Sequence, residues 1–214
     1  QGDWSSDVCS SDLSLIVCAW IYAPGLAGPF LLDDRVNLEN LDVLSDGTRY
    51  TTDVARGNNS GPLGRPVSML SFAASYLAAD GMDPRVFKTH NLALHLIAAS
   101  LVCWLAVLLL SFLRTPDAEW VALLTATFWM MSPLMLSTVL YVIQRMAQLA
   151  CVFVLLGLIL YCKARSASRG PQAILLAVFS VASLMMAVLC KETAIVGVPL
   201  LVLVEVAEIG RAHV

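Results

Sequence analysis

The chain has 214 residues, of which 58% are hydrophobic and only 14% charged, with a formal net charge of −3. Soluble domains carry roughly 25% charged residues, and the mean hydropathy here is +0.77. This balance excludes a disordered chain, a basic nucleic-acid-binding domain and an ordinary cytosolic enzyme. The apolar residues form several long runs, each near the roughly 20 residues needed to cross a bilayer. The expected fold is an all-α polytopic membrane helix bundle of about six spans, with one large polar loop containing a short surface helix.

Both ends differ in character from the rest. Residues 1–13, with Gly2–Leu13 reading GDWSSDVCSSDL, and Glu208–Val214, reading EIGRAHV, each back-translate in one frame to a strand of a common sequencing adapter. They are expected to be read-through artefacts and are set aside before fold reasoning. Residues 14–207 form the expected membrane domain, with its large loop at 33–84. Outside the ends, Cys18, Cys103, Cys151, Cys162 and Cys190 lie in or beside apolar runs without CxxC spacing. They read as small hydrophobes rather than as disulfides or zinc ligands.

In chain order, the first apolar segment is Ser14–Leu32, interrupted by Pro24, Gly25, Gly28 and Pro29. The polar loop follows, with turn signals at Asp46-Gly47 and Gly57–Gly64 and a glycosylation pattern at Asn58-Asn59-Ser60. Later in it, Met69, Phe72, Ala73, Tyr76 and Leu77 recur at helical spacing, which predicts a helix lying on the membrane or packed on the bundle. Asp83-Pro84 reads as an N-cap and first helical residue. The helix they open runs to about Leu113, longer than a bilayer requires. Trp120–Ile143 is the expected third span, kinked at Pro133. Met146–Cys162, Ala173–Cys190 and Thr193–Ala207 are the expected fourth, fifth and sixth.

Span parity places the loop, Gln144-Arg145 and Lys191-Glu192 on one membrane face, and 114–119 and 163–172 on the other. The inference requires 120–142 to cross the membrane. Positive charges lie on both faces, so the charge rule alone leaves the absolute orientation open.

Several polar groups invite a chemical reading. Adjacent carboxylates at a membrane interface, Asp33-Asp34, suit a metal, another cation or acid/base work; otherwise they are solvated loop acids. Arg145, between two apolar spans, can hold a phosphate bidentately or simply snorkel to water. Lys191-Glu192 reads as a phosphate-binding lysine held by an acid, or as a self-neutralised pair. Asn91 and His95 are four apart and share a helix face, whereas His90 points elsewhere. Such polar groups more often bond neighbouring helices than hold a metal.

These pieces occur in a recognisable order: Leu32-Asp33-Asp34, Gly64-Arg65-Pro66 with Ser71-Phe72, Phe87-Lys88-Thr89-His90-Asn91-Leu92 with His95, Ser132-Pro133, Tyr141-Val142-Ile143-Gln144-Arg145-Met146, Tyr161, and Cys190-Lys191-Glu192-Thr193 before Pro199. The set resembles the N-terminal membrane half of the GT-C glycosyltransferases that use polyprenyl-phosphate sugars. Within them it is most similar to bacterial relatives of the transmembrane and TPR repeat-containing O-mannosyltransferases and of type IV pilin glycosyltransferases. The resemblance implies an inverting membrane transferase with Asp33 or Asp34 as catalytic acid position. It matches Arg145 and Lys191 to donor-phosphate positions, and Arg65, His90, Asn91 and Glu192 to supporting ones. It implies a polyprenyl-phosphate sugar, a protein or glycan acceptor, the lipid bilayer as surroundings and no nucleic acid. The active site is expected to face the periplasm from a bacterial inner membrane. A divalent metal at Asp33 and Asp34 is compatible with the resemblance but not implied by it. Gln144-Arg145 stands where eukaryotic members usually have Gly-Arg, and Ser132-Pro133 where they often have His-Pro; both departures point to the bacterial branch. The rival readings are a transporter or flippase of lipid-linked sugars, which predicts inverted repeats with broken helices, and a non-catalytic assembly scaffold.

Overall fold

A computed structural model describes residues 4–44, 54, 63–167 and 170–212. The glycosylation pattern at 58–60 and the Asp46-Gly47 turn lie outside them. Nine α-helices are described: α1 Trp4–Tyr22, α2 Asp34–Leu38, α3 Pro66–Ala79, α4 Pro84–Phe112, α5 Ala118–Met130, α6 Met135–Leu140, α7 Arg145–Ser166, α8 Pro171–Cys190 and α9 Gly197–Ala212. Short 3-10 turns join several of them, and no strand occurs among the described residues. The expected boundary at residue 13 falls inside α1.

Three of the described helical stretches are long and apolar enough to cross a membrane: Pro84–Phe112, Val142–Ser166 and Pro171–Cys190. At 1.5 Å per residue the 29 residues of α4 reach about 43 Å, well beyond a hydrocarbon core of about 30 Å. The predicted cap at its start is present. The Asp83 carboxylate accepts the Arg85 N–H at 2.8 Å, and Pro84 opens the helix where a missing N–H costs nothing. Large apolar side chains such as Phe128, Ile174, Phe179, Met185 and Leu203 are exposed along the outer helices. An apolar surface of this extent is stable against lipid and not against water. The chain is an integral membrane helix bundle.

The third expected span differs from a kinked helix. α5 stops at Met130 after 13 residues, about 20 Å, and the chain passes through a turn at 131–134 into the six-residue α6. Pro133 has no N–H and disfavours helical geometry at Ser132, so the helix breaks here. The orphaned backbone carbonyls are served by α4. His95 Nε2 lies 2.9 Å from the Met130 carbonyl, and the Asn91 amide donates to the carbonyls of Val139, Tyr141 and Val142 at 3.2, 3.4 and 3.3 Å. The shared face of Asn91 and His95, read from their spacing, thus bonds a neighbouring broken helix. Because its backbone is satisfied in this way, 118–144 still joins the two ends of the bundle.

α7 and α8 pack closely through small residues. Ser180 Oγ donates to the Gly157 carbonyl at 2.7 Å and Ser183 Oγ to that of Phe153 at 2.8 Å. A Cβ at Gly157 would stand 3.0 Å from Leu184 and 3.3 Å from the Ser180 carbonyl, so a larger residue would push the helices apart. The loop helix α3 packs on the bundle rather than lying free. Met69, Phe72, Ala73 and Tyr76 join a core with Leu38, Leu41, Phe87, Val142 and Met146, whereas Leu77 is exposed. All five described cysteines outside the end segments are free thiols.

Candidate functional site

The polar groups singled out by the sequence collect at one end of the bundle. Asp34 is fully buried at the start of α2. Its carboxylate accepts the N–H of Leu31 and of Ile143, each at 2.8 Å, and that of Val142 at 3.4 Å. It therefore fastens the first loop to the segment that precedes α7. Asp33 is exposed, and its N–H donates to the Tyr141 hydroxyl at 3.2 Å. Adjacent in sequence, the two acids have separate environments: Asp34 serves the backbone, and Asp33 faces outward. No group of three His, Cys, Asp or Glu side chains is placed to hold a metal among the described residues.

Arg145 is 1% exposed at the first turn of α7. Nε donates to Asn91 Oδ1 at 2.7 Å, Nη1 to the Ser71 carbonyl at 3.0 Å and to Ser75 Oγ at 2.6 Å, and Nη2 to the Phe87 carbonyl at 2.7 Å. Its guanidinium carbon lies 4.7 Å from the Phe72 ring centre and 5.4 Å from that of Phe87. No carboxylate among the described residues touches it; dipoles and two aromatic faces replace its hydration. The sequence suggested a phosphate ligand or a snorkelling anchor. In the structure Arg145 ties α3, α4 and α7 together. His90 belongs to the same network, with Nδ1 2.7 Å from Ser75 Oγ.

Glu192 pairs across the bundle with Arg65 and not with its neighbour Lys191. Arg65 Nη2 and Nε donate to Glu192 Oε2 at 3.0 and 3.1 Å, and Arg65 Nη1 lies 3.4 Å from Met146 Sδ. Partial burial works to raise the Glu192 pKa, but the hydrogen bonds and charge of Arg65 outweigh it and hold the carboxyl below its ordinary value. Lys191 is half-buried, and its ammonium has no hydrogen-bond or ion-pair partner among the described residues. Residues 142–146 thus separate two features: the acids at Asp33-Asp34 on one side, and Arg65, Glu192 and Lys191 on the other. A groove of about 500 Å³ beside the acids is lined by Pro29, Phe30, Arg35, Glu39, Met82 and Pro84.

At the opposite end, the Glu205 carboxylate accepts from the Tyr161 hydroxyl and from Arg165 Nε, the latter at 3.0 Å, and Lys163 sits 4.5 Å from the Trp104 ring centre. Tyr161, Lys163 and Arg165 lie in the last turns of α7, at the opposite end of that helix from Arg145. Sequence reasoning missed Lys88 as a site residue. It is 2% exposed and donates to the carbonyls of Gly28 and Pro29, both at 2.9 Å. A charged residue within the first two turns of an apolar helix was the available signal.

Fold and site together define an integral membrane helix bundle with charged, amide and hydroxyl side chains gathered at one end and an apolar surface around it. The sequence is similar to protein O-mannosyl-transferase Tmtc2 of Drosophila melanogaster, with 32% identity over 186 residues. The match covers 82% of this chain and 19% of the insect protein, so the chain spans less than a fifth of that relative's length. It is a distant match, and it relates the chain to a glycosyltransferase along most of its own length. No family model matches the chain, and no solved structure does.

Proposed function

We propose that this protein is a membrane glycosyltransferase that moves a sugar from a polyprenyl-phosphate donor to a hydroxyl of a protein acceptor. The observation that carries the reading is the similarity to an O-mannosyl-transferase over 82% of the chain. The ordered motifs and the polar end of the bundle support it. In this account Asp33 is the general base, because it is the exposed member of the acidic pair, while Asp34 holds the backbone. Asp33 takes the proton of the acceptor hydroxyl, the oxygen attacks the anomeric carbon, and the polyprenyl phosphate leaves from the opposite side with inversion. Lys191 meets the phosphate charge where it approaches the interface. Arg145 acts as a positioning residue and the Arg65–Glu192 pair fixes the segment beside Lys191. A GT-C architecture, a bacterial inner membrane and a site facing the periplasm are parts of the same reading. Gln144-Arg145 and Ser132-Pro133 favour the bacterial branch, although the relative matched is an insect protein.

The test is transfer by the full-length protein in lipid nanodiscs, offered polyprenyl-phosphate sugars in one arm and nucleotide sugars in the other, with a serine- and threonine-containing polypeptide acceptor. Transfer from the lipid-linked donor alone is expected. Transfer from the nucleotide sugar, or from neither, would overturn the reading.

A further inference from the structure

The segment that carries Asp33 is held at both ends. At its start, the Lys88 ammonium reaches from α4 to the carbonyls of Gly28 and Pro29, 2.9 Å each. Gly28 makes this approach possible, since a Cβ there would stand 3.1 Å from Lys88 Nζ and 3.3 Å from the Gly25 carbonyl. At its far end, Asp34 accepts the N–H groups of Leu31 and Ile143. Between the two anchors, Leu32 adopts a left-handed conformation with φ +42°, and its side chain is 87% exposed. No packing of the Leu32 side chain accounts for that backbone. A non-glycine residue keeps such a conformation only where its surroundings impose it; here Leu32 sits in a tight turn closed by the Asp34 N–H on the Leu31 carbonyl at 2.9 Å, and Lys88 and Asp34 fix that turn at its two ends.

We infer that Lys88 is a positioning residue: with Asp34 it forms a clamp that forces Leu32 into the left-handed region and so aims the exposed Asp33 carboxylate. The catalytic part of this inference rests on the transferase reading above; the clamp itself does not. Burying a lysine ammonium against two carbonyls at the end of an apolar helix is costly unless those bonds are made, and both carbonyls belong to the tether that precedes Asp33. Displacing a reacting group by about 1 Å can lower a rate by about 10²-fold.

The experiment replaces Lys88 by Met in the full-length protein in nanodiscs and reads two quantities. Amide hydrogen exchange of a peptide spanning 28–36 is expected to speed up by about tenfold or more relative to wild type, because the anchor is gone. The kcat for transfer is expected to fall by about 10²-fold while the donor KM stays within about twofold. Adding Leu32→Gly to Lys88→Met should restore part of kcat, since glycine enters the left-handed region without being forced; a merely structural lysine would give no such rescue. Gly28→Ala, which crowds the ammonium and leaves the lysine in place, should show the same two effects in milder form and serves if Lys88→Met does not fold. Unchanged exchange at 28–36 in these variants would overturn the clamp whatever the activity. Faster exchange with an unaltered kcat would overturn the role of Lys88 in aiming Asp33. Absence of transfer by the wild type would count against the transferase reading, with the exchange result still deciding the clamp.

Discussion

Replacing Arg145 by alanine removes four hydrogen bonds, to Asn91, Ser71, Ser75 and Phe87, and a cation lying over the rings of Phe72 and Phe87. Hydrogen bonds to a charged group contribute about 1.5–3 kcal/mol each. They are not additive here, because Asn91 keeps its bonds to three carbonyls and Ser75 keeps His90. Two backbone carbonyls are nevertheless left without their guanidinium donor, along with the cavity of a large buried side chain. We expect a loss of about 3–5 kcal/mol, the upper range for one substitution. Arg145→Lys should also be severely destabilised, since a single ammonium cannot reach the partners that the planar fork spans. The assay is reversible unfolding of the purified protein in mixed micelles, alongside donor KM in nanodiscs. Near-wild-type stability in Arg145→Ala combined with a raised donor KM would refute this tie between helices and restore Arg145 as a phosphate ligand.

Glu192→Gln should lower stability at neutral pH by weakening the pair with Arg65. The Glu192 pKa lies below its unfolded value, so its contribution is present above that value and is lost as pH falls through the folded one. The difference between wild type and Glu192→Gln should therefore shrink as pH falls below about 4, as read from unfolding midpoints across pH. Gln148 is buried on α7 with neither side-chain amide atom hydrogen-bonded among the described residues; Gln148→Leu should raise stability by about 1 kcal/mol, and a lower melting temperature would show that the amide has a partner. Lys191→Ala should raise donor KM with little change in melting temperature, since its ammonium bonds nothing among the described residues; an unchanged KM would place the phosphate elsewhere.

The helical membrane class, the cap at Asp83, the amphipathic run in α3 and the limits of α4 and α8 were legible in the sequence, because each depends on local periodicity or a local terminus signal, whereas α7 runs to Ser166 through the basic stretch read as a turn. The shared face of Asn91 and His95 was equally legible from spacing. What those residues bond was not, because it required knowing that Pro133 would break a span rather than kink it. The partners of Arg145 were hidden for a different reason. A lone arginine between apolar runs looks the same whether it meets phosphate or is swallowed by a loop helix 74 residues away in sequence. Arg65 and Glu192 are 127 residues apart, and the nearer Lys191 offered itself as the obvious partner. The two acids at 33 and 34 are chemically identical in sequence, and tertiary contact with 142–143 distinguishes them.

That distinction permits the most direct test of the central claim, that Asp33 is the base and Asp34 the support. Asp33→Asn and Asp34→Asn should be compared in the full-length protein for kcat of transfer and for melting temperature in the same preparation. Asp33→Asn is expected to lower kcat by about 10²–10⁴-fold at unchanged melting temperature. Asp34→Asn is expected to lower the melting temperature, because an amide presents an N–H donor to backbone N–H groups that need an acceptor. Full activity in Asp33→Asn, with transfer lost in a stably folded Asp34→Asn, would contradict the account.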